Sequence, residues 1–461
     1  MPMTLAALAL ALFAADHHHA AGHDHHPGVA AGLEALAAGV SEDRLRSDVD
    51  TLVGFGTRHT LSSQDDPERG IGAAWAWSEA QFEALGLETM RVCDEVTGRR
   101  IPEPVRVCNV VAIQRGTERP DQMILLTGHI DSRVSDVMDA VSDAPGANDD
   151  GSGTAGVLEA ARVLSRHKFP ATIVYAHLTG EEQGLFGGRI LAAHARANGW
   201  QVIANLNNDI IGNSCGSDGH CEPDVVRLFS EGPRRQGYDA GLMAAQHRLG
   251  GENDAPSRGL SRYVDALAEW LPGIGLDVRP IWRTDRWGRG GDHIEMLAAG
   301  YPAVRFTVGV EDYDHQHQDL RTEDGTFYGD VAAEMDFAYL ARVTALNVAT
   351  AAALASAPPP PSGVEAEGAV STDTTLRWEA ASGADHYKIV WRRTDASQWG
   401  ADHRRVDADS CTDGQCEVVL DGVRVDDWIF GVASASADHH YSPAVAAVPG
   451  GQYAPLEERA E

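Results

Sequence analysis

The sequence predicts an α/β protein: a three-layer sandwich with a mostly parallel central sheet, followed by a small all-β sandwich. Three observations lead there. Short apolar runs alternate with helix-like stretches as far as residue 355. Four prolines in a row, Pro358 to Pro361, then interrupt the pattern. Beyond them, Thr375-Leu376-Arg377-Trp378 and Tyr387-Lys388-Ile389-Val390-Trp391 alternate with a period of two, as half-buried strands do.

Taken in order, residues 42–55 and 70–85 read as helices. In the second, Ala73, Trp77, Ala80 and Leu85 make a rough helical stripe, and Gly86 suits a C-terminal cap. Residues 107–113 and 122–127 read as strands, the second, with Met123 to Leu126 at its centre, buried on both faces. Residues 154–167 are amphipathic, with Val157, Ala161 and Leu164 on one side. Residues 171–178 form another buried strand, and 186–198 a helix stopped by Gly199. Residues 202–206 and 304–308 complete the strands, and an Ala-rich helix over 330–355 closes the domain. The chain thus divides into a signal-like segment with a His-rich tail (1–40), a first globular domain (41–356) and a Pro-rich linker (357–363). A β-sandwich (364–450) and a tail (451–461) follow.

Bulk properties narrow the function. A chain of 461 residues exceeds one ordinary domain and buries a large core. A formal charge of −31 argues against nucleic acid or an anionic membrane as partner. Leu5 to Ala15 is an apolar run of signal-peptide length, although no Lys or Arg precedes Arg44. It is too short to span a bilayer, and no other stretch qualifies as an integral membrane segment. The six cysteines fall into local pairs, Cys93 with Cys108, Cys215 with Cys221 and Cys411 with Cys416. Such pairing predicts disulfides and a secreted or periplasmic location. His17 to His26 is a low-complexity tract in which we place no functional ligand.

The chemistry sits in a few strings. His129 and Asp131 stand at the end of a strand, where the carboxylate is placed to accept the second imidazole N–H and fix the tautomer. Asp149 lies in the glycine-rich turn Gly146-Ala147-Asn148-Asp149-Asp150-Gly151-Ser152-Gly153 that feeds a helix. Glu181 and Glu182 follow a buried strand, an unusual place for idle charge. Asp209 ends the next strand. The last apolar strand leads to Asp314-His315-Gln316-His317-Gln318-Asp319. His317 is the preferred final ligand because Asp319 can orient it, with His315 the runner-up. Taken singly, each is as easily a buried histidine, a helix cap or a turn aspartate. Together they place imidazoles and carboxylates at the C-terminal ends of parallel strands, where α/β sheets hold their sites. Nitrogen and oxygen donors without sulfur suit zinc, with manganese or cobalt as substitutes.

The strings GHIDS, GANDDGSG, TGEEQGLFGG, NNDIIG and QHQD resemble, in this order, those of the co-catalytic di-zinc aminopeptidases of metallopeptidase family twenty-eight. The resemblance spans about residues 41–355 and implies the zinc exopeptidase fold. It implies two zinc ions held by His129, Asp149, Asp209, Glu182 and His317, with Asp149 bridging. Glu181 would be the general base acting on a water shared by both metals, and Asp131 would orient His129. The expected substrates are peptides with a free N-terminus. One departure stands out. The family often carries a Tyr before an S-D-H string, whereas Arg286-Trp287-Gly288-Arg289-Gly290-Gly291-Asp292-His293 stands here, leaving Arg289 or Tyr313 to stabilise the oxyanion. The motif-poor residues 222–280 are expected to shape the substrate pocket. Glutaminyl cyclases and some carboxypeptidases share the architecture and form the alternative, as does, more remotely, a non-catalytic receptor or adhesion protein. The C-terminal module resembles a fibronectin type III domain, with Trp378 in its core.

Overall fold

The computed structural model describes residues 27–456. The apolar run at 5–15 and the histidine tract at 17–26 lie outside the described residues.

The large sheet contains β1 (Glu88–Gly98), β2 (Ile101–Gln114), β3 (Arg119–His129), β4 (Ala171–Leu178), β5 (Gln201–Asn208), β6 (Val225–Phe229), β7 (Asp277–Ile281) and β8 (Ala303–Val308). Their spatial order is β1-β2-β4-β3-β5-β8-β6-β7. The central four, β4-β3-β5-β8, run parallel. Antiparallel pairs at β1–β2, β2–β4 and β6–β8 make the whole sheet mixed.

The helices are α1 (Pro27–Ala37), α2 (Glu42–Gly54), α3 (Ile71–Ala84), α4 (Gly151–Leu164), α5 (Glu181–Gly184), α6 (Phe186–Ala197), α7 (Ala240–Leu249), α8 (Pro256–Trp270), α9 (His293–Ala298) and α10 (Phe337–Ser356). The strand period of two sorts the core into two layers. Ile124 and Leu126 of β3 face the layer built by α1, α2, α3, α4, α8 and α10. Met123 and Leu125 face the layer of α6 and α9. This is the expected three-layer α/β sandwich. Among the described residues, α10 alone is long and apolar enough to cross a membrane, and it is the buried centre of the first layer.

Several boundaries differ from expectation. The last helix starts at Phe337 rather than 330, because Asp336 caps it through Tyr339 N. Asp330 is instead buried and turned to the Asn148 and Asp149 amides. Residues 27–37, expected in a tail, form α1, whose Leu33 and Ala37 are buried in the first layer. Strands β1, β6 and β7 were not legible in the sequence. β1 is an edge strand of mixed burial, and β6 and β7 have only five residues each.

A hairpin of β9 (Arg321–Glu323) and β10 (Thr326–Tyr328) precedes α10. Past the prolines come β11 (Ser362–Glu367), β12 (Thr374–Glu379), β13 (His386–Arg393), β14 (His403–Asp407), β15 (Gln415–Leu420), β16 (Trp428–Ala435) and β17 (Val445–Ala446). They form two antiparallel sheets, β11-β12-β15 and β14-β13-β16-β17. Trp378 is fully buried between them and meets Tyr387 edge-on, with centroids 5.3 Å apart.

The two units share a tight, charged seam. Asp254 accepts from Arg392 at 2.6 and 2.7 Å and from Arg262 at 3.1 Å, all three side chains being buried. The prolines are no free hinge: Pro358 and Pro361 are buried, and Ser434 Oγ donates to the Pro359 carbonyl at 2.6 Å. Strand β17 and the segment after it return to the first unit. Tyr453 and Val445 join the same core as α8, and Arg234 donates to the carbonyls of Gln452, Ala454 and Gly300. All three expected cysteine pairs are disulfides.

Candidate metal centre

The C-terminal ends of the four central parallel strands meet at one place. His129 is the last residue of β3, and Asp209 directly follows β5. Glu181 and Glu182 open α5 shortly after β4. His317 stands in the loop after β8, and Asp149 in the turn entering α4.

Local chemistry fixes these segments. Asp150 caps α4 by accepting from Gly153 N at 2.9 Å. The same carboxylate accepts from His129 N at 2.9 Å and Ile210 N at 3.2 Å, so one side chain ties β3, β5 and α4 together. Helix α4 approaches β3 so closely that a Cβ on Gly128 would lie 2.7 Å from the Gly153 carbonyl carbon. The Asp149–Asp150 peptide is cis. Leu185, Ile210 and His317 all hold positive φ, near 60°, 60° and 53°. Non-glycine residues rarely do so, and such strain collects at functional sites.

His129 Nε2 lies 3.1 Å from Asp149 Oδ1 and 3.9 Å from Asp209 Oδ1. His317 Nε2 lies 2.8 Å from Asp149 Oδ2 and 3.0 Å from Glu182 Oε1. Two triads result, His129–Asp149–Asp209 and Asp149–Glu182–His317, each with its donor atoms within 4.8 Å of one another. Asp149 belongs to both and turns one oxygen to each imidazole. The donor atoms are close without being hydrogen-bonded throughout. His129 Nε2 and Glu182 Oε1 are buried and lack a hydrogen-bond partner. Buried polar atoms left so are costly unless something else binds them. Imidazoles and carboxylates aimed at common points fit divalent cations of the zinc type.

The electrostatics agree. Burial pulls the His129 imidazole down, but Asp131 and Asp149 outweigh it and hold the pKa well above its ordinary value. Burial also opposes the charge on His317, yet Glu182 and Asp149 drive it to about 10. Burial raises Glu182, but His317 and Arg133 bring it down to about 2. The pocket thus carries negative potential that favours positive charge. Glu181 is half-buried and lines the cavity. Burial, then Asp209 and Glu182 against the opposing pull of His129, hold its carboxyl well above the usual range.

The structure brings His129, Asp149, Glu181, Glu182, Asp209 and His317 to this one place. His315 is elsewhere, with Nδ1 2.6 Å from Asp312 and its ring stacked on Phe327. Asp319 does not orient His317, because it accepts from Ser135 N. Arg133 sits there instead, with Nη2 2.6 Å from His317 Nδ1 and Nε 2.8 Å from Glu182 Oε2. Asp131 differs too. The nearest acceptor to His129 Nδ1 is the Asp131 main-chain carbonyl at 3.0 Å, whereas the carboxylate is 3.6 Å away. That carboxylate accepts mainly from Gly180 N at 2.9 Å and Thr60 Oγ at 2.9 Å, which braces the Glu181–Glu182 loop. Tyr313 is 61% exposed and does not line the cavity, whereas Arg289 does, held 2.6 Å from Glu311. Residues 222–280 contribute nothing to the lining. They build the far edge of the sheet and the seam with the β-sandwich.

Arg305, like Arg133, is a residue that sequence reasoning missed. Fully buried on β8, it lies 2.7 Å from Asp209 and 2.8 Å from Asp285. A charge inside the apolar run at 303–308 was the available signal, since buried charges demand partners.

Fold and site together define an α/β protein with candidate metal-ligating side chains gathered at the ends of its parallel strands. Residues 109–219 match Peptidase family M28. A protein of Leptosphaeria maculans described as a probable zinc metalloprotease is 42% identical over 429 residues, covering 91% of this chain and 97% of its own. Another so described, from Pyricularia oryzae, is 42% identical over 435 residues, covering 91% of this chain and 85% of its own. The chain belongs to peptidase family M28. The crystal structure of LapA from Legionella pneumophila shares the fold, with a TM-score of 0.51 at 19% identity over 71% of this chain and 76% of that one.

Proposed function

We propose that this protein is a secreted zinc-dependent aminopeptidase that removes N-terminal residues from peptides. The sharing of Asp149 between two triads is the observation that carries the reading. His129, Asp149 and Asp209 would hold one zinc ion, and Asp149, Glu182 and His317 a second. When bound, such a pair supplies Lewis acidity and lowers the pKa of water at the site. Glu181 takes the proton from the attacking water and returns it to the leaving amine. Asp131 sets the height of Glu181 and Glu182 through their loop, and Arg305 fixes Asp209.

Three disulfides support an oxidising compartment. Seven strands in two antiparallel sheets around Trp378 support a fibronectin type III-like reading of the second unit. The test is hydrolysis of an aminoacyl-anilide panel by the full chain, before and after chelation and with zinc added back. Release that falls with chelator and returns with zinc is expected. No release from any anilide, with intact zinc content, would refute the aminopeptidase reading.

A further inference from the structure

The cavity in front of the candidate metal centre, about 590 Å³, is ringed by guanidinium groups. Arg99, Arg100, Arg133, Arg189, Arg286 and Arg289 all line it. This is a heavy concentration for a chain with 37 Lys and Arg against 68 Asp and Glu. Among the described residues, the only carboxylates on the same wall are Asp149, Glu181, Glu182 and Asp209, all at the candidate metal centre itself.

Some of these arginines already have partners. Arg133 is bound to Glu182. Arg286 pairs with Asp285 at 3.1 Å and, with Arg289 and Arg227, shares Glu311. Arg189 is more than half exposed and reaches only to 3.5 Å from Glu295. The remaining two stand apart. Arg99 and Arg100 form the two-residue turn between β1 and β2, where Gly98 pairs with Ile101. Arg100 donates to the main-chain carbonyl of Glu182 and has no carboxylate partner among the described residues. Arg99 is exposed at the rim and has no ion pair among the described residues. The hairpin is fastened by the Cys93–Cys108 disulfide between directly opposed residues. The turn is therefore held at the cavity rim by two strands and a covalent cross-link.

We propose that Arg99 and Arg100 are specificity-determining residues that bind a carboxylate of the substrate. The proposal rests on the peptidase reading of the same site. Guanidinium forks match carboxylates in shape and charge, and near a cavity wall such bonds exceed neutral ones in strength. The carboxylate has two sources, an acidic side chain near the scissile bond or the free C-terminus of a short peptide.

Four dipeptides separate them: Leu-Gln amide (neutral), Leu-Glu amide, Glu-Gln amide and Leu-Gln with a free C-terminus. For the full chain, kcat/KM for at least one acid-bearing substrate should exceed that of the neutral amide by about tenfold, the equivalent of about 1.4 kcal/mol. Arg99→Ala and Arg100→Gln should each shrink that ratio several-fold through KM, whereas Arg377→Ala, on the β-sandwich, should leave it unchanged. The substrate showing the preference identifies the source. Calorimetric binding of Leu-D-Glu against Leu-D-Gln amide gives a readout independent of turnover. Hydrolysis with no preference for any acid-bearing substrate, or a preference untouched by both substitutions, would overturn the proposal. Hydrolysis of none of the four would count against the peptidase reading, and the calorimetry would then still decide carboxylate binding by its loss, or its persistence, in the two variants.

Discussion

Tyr453 is expected to be a structural keystone although it lies in a segment that reads as a tail. Its ring is 5% exposed and belongs to the core cluster that holds α8 and the large sheet. A Cβ added to Gly259 of α8 would lie 2.7 Å from its hydroxyl, which shows how closely helix and ring meet. Truncating a buried aromatic side chain to alanine costs about 3–5 kcal/mol, from lost transfer energy and the cavity left behind. Tyr453→Ala should fall in that range in urea unfolding followed by tryptophan fluorescence. Tyr453→Phe is the control. The hydroxyl is buried without a hydrogen-bond partner, so its removal should cost less than about 1 kcal/mol or stabilise the protein. A Tyr453→Ala variant within about 1 kcal/mol of the parent would refute the reasoning and return residues 451–456 to the status of a passive end.

Other consequences can be checked directly. Glu181→Gln should retain its metal by elemental analysis while kcat falls by about a hundredfold or more. Asp149→Ala should instead lose metal, since both triads share that carboxylate. Asp254→Ala leaves Arg262 and Arg392 buried without their carboxylate and should cost about 3–5 kcal/mol in denaturant unfolding, with Asp254→Asn milder. Burial raises Asp265 to about 7, so between the ordinary carboxylate range and that value the folded chain holds a proton the unfolded chain has released. Its contribution to stability is therefore complete at low pH and fades as pH rises through 7, with a slope of up to about 1.4 kcal/mol per pH unit. Asp265→Asn should flatten the dependence of unfolding free energy on pH between 5 and 8.

The sequence made the central strands and the donor residues readable for a shared reason. Largely apolar runs at 122–127, 171–178, 202–206 and 304–308 are buried on both faces, and the first three are followed within three residues by a candidate donor, His129, Glu181 or Asp209. Choosing His317 over His315 rested on Asp319, and here the reasoning and the geometry part. His317 meets Asp149 and Glu182, but Asp319 bonds elsewhere and Arg133 occupies its expected place. Arg133 and Arg305 are close in space but remote in sequence from the groups they hold, so spacing cannot reveal them. Nor could periodicity show that residues 222–280 serve the seam rather than the cavity, because their contacts depend on how two units dock.

The return of the chain from its second unit into its first has a bearing on biosynthesis. A nascent polypeptide emerging from the ribosome would lack Val445 and Tyr453 until its second unit had been made. Its first unit would meanwhile have an unfinished interior beside α8. A chain built this way completes its first interior only after its second unit is made, so a fragment that stops short of Tyr453 leaves apolar surface beside α8 uncovered.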